Sequence, residues 1–147
     1  MLCITNRETS FDFLSELFGD KQIFAFSKKN VLRGLHIQTK YTQAKIVTVT
    51  HGKIFDVIVD LRKKSKTFGK YFSIIITEKN NISLYIPEGF AHGYCSISDI
   101  SLIHYKMTNY RYSNLEKGII WNDNSIKIKW PLNKPIISIR DKKNMTF

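Results

Sequence analysis

Acidic residues are scarce in this 147-residue chain: 12 Asp and Glu stand against 23 Lys and Arg, for a formal charge of +11. An excess of that size suits an anionic partner and leaves three readings open: a nucleic acid, a phosphorylated small molecule, or a lysine-rich solvated surface. The basic clusters Lys28-Lys29 and Arg62-Lys63-Lys64 are separated by apolar segments and fall where turns are expected, which favours the surface reading for most of them. RNP-like aromatic repeats, zinc-finger spacings and a basic amphipathic helix are missing, so nucleic acid is not the expected partner. Cysteine is nearly absent as well. Cys3 and Cys95 build no disulfide framework and belong to no CxxC pair, which fits a reducing, cytoplasmic setting. The opening MLCITNRETS lacks a basic stretch followed by an apolar one, and no run of eighteen apolar residues occurs, so no membrane partner is expected. With three prolines, seven glycines and no low-complexity run, the chain is neither fibrous nor disordered.

What is present is apolar and aromatic: 43% hydrophobic residues, 13% Phe, Trp and Tyr, enough for one core in a single domain over residues 1–147. Only Ser10 to Phe18 has helical spacing, through Phe11, Leu14, Leu17 and Phe18, with Gly19 placed to stop it. From Gln22 onward, runs rich in Ile, Val, Phe and Tyr predict strands near 22–26, 31–38, 44–50, 53–60, 71–77, 82–86, 91–97, 101–108 and 135–139. His51-Gly52 separates two of them by the two residues of a tight hairpin, and Pro87-Glu88-Gly89 marks a second turn. Many short strands joined in this way predict an all-β sandwich or barrel. In 53–60, Phe55, Val57 and Val59 alternate with Ile54 and Ile58, so both faces of that strand are apolar. One face suits a barrel interior and the other a second sheet or subunit, which points to a dimer.

Several polar residues interrupt these apolar runs. Lys45 shares strand parity with Val47 and Val49, so its ammonium has an anionic partner, a lowered pKa, or a frayed strand end that reaches water. His36 and His92 are each either satisfied core residues or functional ones, and of His104 and Tyr105 one must face away from the other. A metal site is disfavoured, because alternate histidines on a strand would converge on an ion and no His-x-His occurs. Arg33 and His36 have opposite parity; if both serve one site, Gly34 between them marks a bend or bulge, and otherwise Arg33 faces solvent.

VLRGLHIQ, QAKIV, GKIFDVIVDLRKKSKTFGK, LYIPEGFAHGY, YKMTNY, EKGIIWND and IKIKWP occur in an order and spacing that resemble the dTDP-4-dehydrorhamnose 3,5-epimerase family, from about Ser27 to Asp141. The resemblance implies a cupin-type double-stranded β-helix (jelly roll), here with a short N-terminal helix, that forms a homodimer and works without metal or cofactor. It implies a nucleotide-diphosphate sugar as substrate, a 4-keto-6-deoxy sugar inverted at C3, C5 or both. His36 would then be the base, Asp141 its partner carboxylate, Lys45 the cation beside the enolate oxygen, and Tyr105 the acid on the opposite ring face. Arg33 would hold the diphosphate, and His92, Arg111 and Gln38 would line the substrate site. The chain departs from the family pattern at Tyr110-Arg111-Tyr112, where two adjacent tyrosines and a following proline are usual, and in KQIFAFS, which stands where a Gln/Asn-containing strand is usual. Action at a single carbon, movement of the keto group, or binding without turnover are the alternatives.

Overall fold

The protein is described here from a computed structural model covering the backbone of residues 3–6 and all of residues 18–147. The β-branched and aromatic runs form β1 (Cys3–Asn6), β2 (Gln22–Lys28), β3 (Val31–Gln38), β4 (Lys45–His51), β5 (Lys53–Asp60), β6 (Tyr71–Thr77), β7 (Ile82–Ile86), β8 (Phe90–Ser96) and β9 (Ile100–Met107). The short β10 (Glu116–Gly118) and β11 (Ile136–Ile137) follow, then a single helical turn, α1 (Ile139–Lys142). One sheet has the order β1-β7-β4-β9-β2 and the other β10-β3-β8-β5-β6, with β11 added in parallel to the start of β3. The two sheets form the expected all-β sandwich of jelly-roll type. The helix expected over 10–18 lies outside the described residues except for Phe18, which is buried against Ala44, Ile46 and Tyr85.

Two sequence expectations change. Gly52 has the positive φ of a tight turn (81°), yet β4 and β5 do not pair with each other. β4 bonds to β7 and β9 in one sheet, and β5 to β6 and β8 in the other, so His51-Gly52 carries the chain between sheets instead of closing a hairpin. The cause is that each strand already has a partner on both sides. Pro87-Glu88-Gly89 makes the same kind of crossing between β7 and β8.

The second correction concerns the two apolar faces of β5. Ile54 and Ile58 face the space between the sheets with Val47, Val49, Leu84 and Ile103. Val57, Val59 and Phe55 face outward, where Ile119, Ile126, Ile128 and Trp130 of the same chain cover them. The outer face is therefore closed by the chain's own C-terminal segment and needs no second subunit. Full burial of each such side chain contributes about 1.5–3 kcal/mol.

Candidate active site

Gly34 determines how β3 presents its polar side chains. The pairing of β3 with β8 shifts register between Arg33 and His36, the irregularity that the parity of these two residues requires. Gly34 has φ of 111°, and a Cβ there would stand 2.6 Å from the Cα of Gly93 on β8, so both strands need glycine to approach so closely. As a result Arg33 and His36 both line one cavity of about 520 Å³, together with Lys45, His92, Tyr94, Tyr105, Arg111, Glu116, Arg140 and Asp141.

The cavity is lined from both sheets. His36 comes from one sheet, while Lys45 and Tyr105 come from adjacent strands of the other. Lys45 pairs with Met107 and Val47 with Tyr105, which makes Lys45 and Tyr105 diagonal neighbours on one face. His104, by contrast, turns outward, stacks on Phe24 at 4.5 Å and bonds to Gln22 Oε1 at 2.9 Å.

His36 Nε2 lies 2.5 Å from Asp141 Oδ1. α1 holds that carboxylate: Ser138 Oγ accepts from the Asp141 backbone N–H, and Gly34 N–H donates to Asp141 Oδ2. Burial pushes the Asp141 carboxyl up, but the His36 hydrogen bond and charge and the Gly34 N–H outweigh it, leaving it below its usual range. With Nε2–H donating to this carboxylate, the lone pair of His36 is on Nδ1.

A second histidine–carboxylate pair lies deeper. His92 Nε2 is 2.9 Å from Asp56 Oδ2, and Asp56 Oδ1 is buried with no hydrogen-bond partner among the described residues. Burial raises the Asp56 pKa, opposed by His92 and by the charge of Lys45. Lys45 is itself largely enclosed: burial lowers its pKa, with Arg111 acting in the same direction and Glu116 and Asp56 against it. Lys45 opens β4, but pairing with Ile86 on one side and Met107 on the other keeps that end from fraying. The Tyr105 hydroxyl is held well above 10 by burial, reinforced by Tyr94 and Asp56, with Arg33 opposing.

Arg33 Nε donates to Ser27 Oγ at 3.1 Å and its Nη2 to the Phe26 carbonyl at 3.0 Å, which fixes the guanidinium against β2. Arg111 grips Glu116 through two bonds of 2.8 and 3.0 Å, and Arg140 adds a third at 2.8 Å. Gln38 does not reach the cavity. It is buried, its amide nitrogen donates to the carbonyls of Tyr41 and Tyr110, and its oxygen accepts the Tyr112 N–H, so it braces the loop that carries Arg111. The structure therefore brings together seven of the eight residues singled out from sequence. Asp56, Glu116, Arg140 and Tyr94 were missed, and Asp56 had a usable signal: it shares the inward parity of Ile54 and Ile58, where a lone carboxylate needs a partner.

The sequence model of the dTDP-4-dehydrorhamnose 3,5-epimerase family matches residues 9–147. A dTDP-4-dehydrorhamnose 3,5-epimerase of Shigella flexneri is 46% identical over 122 residues, covering 82% of this chain and 67% of that protein. Its counterpart in Neisseria gonorrhoeae is 47% identical over 122 residues, and there the match spans 82% of this chain but only 37% of the relative. Among solved structures, dTDP-6-deoxy-D-glucose-3,5-epimerase of Legionella pneumophila, in complex with dTDP-4-keto-L-rhamnose, superimposes with a TM-score of 0.87 at 37% identity, over 93% of this chain and 77% of that one. On fold, motif order and the extent of these matches, the chain belongs to the dTDP-4-dehydrorhamnose 3,5-epimerase family.

Proposed function

We propose that the protein is an epimerase of a dTDP-linked 4-keto-6-deoxy sugar, inverting C3 and C5 through an enolate. The observation that carries this reading is the His36–Asp141 pair sharing a cavity with Lys45 and Tyr105, which enter from the opposite sheet. A proton beside a ketone is a weak acid, so its removal needs an aligned base and a cation where the oxyanion develops. His36 Nδ1 takes the carbon-bound proton, and Asp141 holds the tautomer and steadies the imidazolium. Lys45 offsets the charge on the enolate oxygen. Tyr105, protonated because its pKa lies so high, returns a proton to the carbon from the other face. Arg33 retains N–H groups beyond the two given to β2 and suits the diphosphate. His92 and Arg111 line the sugar.

Proton NMR of dTDP-4-keto-6-deoxyglucose with the protein in heavy water tests this directly. The expected result is loss of signal at both C3 and C5 with formation of inverted product. Exchange at one carbon would establish a single-site epimerase, the reading that Arg111 favours, since it fills the loop position where the family pattern has tyrosine. Absence of exchange with any nucleotide sugar would leave a binding protein and defeat the proposal.

The functional unit in this reading is a homodimer. β2 is an edge strand with Phe24 67% and Phe26 50% exposed, while Ile23 and Ala25 on its other face line the cavity. A partner seated on that edge would cover the aromatics beside the site. Analytical ultracentrifugation is expected to give a dimer for the wild type and a monomer for the Phe24→Glu, Phe26→Glu double variant. A monomeric wild type would remove the dimer.

A further inference from the structure

Two buried side-chain oxygens have no hydrogen-bond partner among the described residues, Asp56 Oδ1 and Gln43 Oε1. Asp56 bonds to His92 and does not line the cavity, whereas Gln43, only 7% exposed, does line it. An enclosed carbonyl oxygen left unpaired is costly, and the Gln43 amide cannot turn to relieve it. Its Nε2 donates to the carbonyls of Asn109 and Tyr110, both at 2.8 Å, so its two hydrogens are spent. A reversed amide would set oxygen against two carbonyl oxygens. The backbone is fixed as well: Ala44 donates to Thr108 Oγ1 at 3.0 Å and accepts the Thr108 N–H at 3.1 Å. Lys45 follows directly and lines the same cavity. An ammonium that can only donate thus stands beside an amide oxygen that can only accept.

This donor and acceptor call for a ligand with the reverse pair on neighbouring atoms: an oxygen that accepts and a hydroxyl that donates. A 4-keto-6-deoxy hexose has one hydroxyl next to its ketone, at C3, because C5 carries the ring oxygen and the methyl group. The ionised diphosphate has no hydrogen to give. Resting on the epimerase reading, we infer that Gln43 is a substrate-contact residue that sets specificity: its Oε1 accepts the C3 hydroxyl hydrogen while Lys45 donates to the C4 oxygen. Loss of the C3 proton makes C3, C4 and both their oxygens coplanar, which keeps the hydroxyl beside the developing oxyanion. The same two contacts therefore serve the ketone and its enolate. Sugars without a hydroxyl beside the ketone leave the Gln43 oxygen unpaired and are selected against.

Proton exchange at C5 in heavy water tests the contact, with dTDP-4-keto-6-deoxyglucose and its 3-deoxy and 2-deoxy analogues as probes. For the wild type, kcat/KM on the 3-deoxy analogue is expected to be about tenfold to a hundredfold below that on the parent sugar, the range for an enclosed carbonyl left unpaired. Gln43→Met removes the oxygen, so the ratio of parent to 3-deoxy analogue should close to about one, while the ratio of parent to 2-deoxy analogue stays at its wild-type value. Loosening of the loop at Asn109 and Tyr110 weakens all three sugars alike and cancels from both ratios. A wild type that handles the 3-deoxy analogue as well as the parent overturns the contact, and so does a variant that keeps the wild-type ratio. Should Gln43→Met fail to fold, calorimetric titration of His36→Asn, which binds without turnover, reads the same difference as affinity. Binding of the 3-deoxy analogue as tightly as the parent overturns the contact there. A wild type that exchanges neither carbon of any nucleotide sugar defeats the epimerase reading and the contact with it, whereas turnover with an unmoved ratio defeats the contact alone.

Discussion

His36→Asn is expected to lower the turnover number by about a hundredfold to ten-thousandfold, the usual contribution of a positioned acid or base. Proton exchange at the substrate carbons should fall with it, because no other side chain in the proposed mechanism accepts that proton. The fold should survive the change. Asparagine can still present an amide N–H to Asp141 Oδ1, which keeps its Gly34 N–H and its place in the Ser138-capped turn. Nucleotide affinity should be unchanged, since Arg33 is anchored by Ser27 and Phe26 and not by His36. Asp141 loses the imidazole that holds its pKa down, so its carboxyl should titrate at higher pH in the variant than in the wild type. Exchange followed by NMR, together with calorimetric titration of dTDP, checks both halves. Wild-type exchange in the variant would remove His36 from the base role.

The strands that carry this chemistry were legible because their apolar content is dense and their turns are short. Four of the nine expected spans match the observed strands residue for residue: β3, β5, β6 and β7. The spans 22–26, 44–50, 91–97 and 101–108 shift by one or two residues at one or both ends, and of 135–139 only Ile136–Ile137 is strand, because Ser138 caps and Ile139 opens α1. Pairing was less legible, because His51-Gly52 has the composition of a hairpin turn and nothing local records that both flanking strands are already taken. β10 and α1 are too short to show periodicity, yet they position Glu116 and Asp141. Asp141 is separated from His36 by 105 positions, and only the family resemblance links it to the imidazole. For Gln38 only the family resemblance suggested a place beside the substrate, and nothing local in the sequence announces its three bonds to the 41 and 110–112 backbone, which make it a brace for the loop that carries Arg111.

Lys45→Met should separate catalysis from stability most sharply. Losing the cation that meets the developing oxyanion is expected to lower the turnover number by about a hundredfold to a thousandfold, in the range found for a single oxyanion donor. Methionine preserves much of the lysine stem's volume beside Met107, so packing should be retained. Stability should move the other way. Burial lowers the Lys45 pKa below 10.5, so between the folded and unfolded values the unfolded chain binds more protons and wild-type stability rises with pH. At neutral pH the wild type therefore carries the cost of a charged, enclosed ammonium, and the variant does not. Removing Lys45 also removes a charge that holds the Asp56 pKa down, so Asp56 should protonate more readily and give back part of the gain. The expected result is a melting temperature at or above that of the wild type at neutral pH, with the difference shrinking as pH climbs toward 10.5. Calorimetric melting from neutral to alkaline pH, paired with turnover, measures both. A variant that melts well below the wild type at neutral pH would show that Lys45 serves as a structural counter-ion to Asp56, and unchanged turnover would remove it from the enolate.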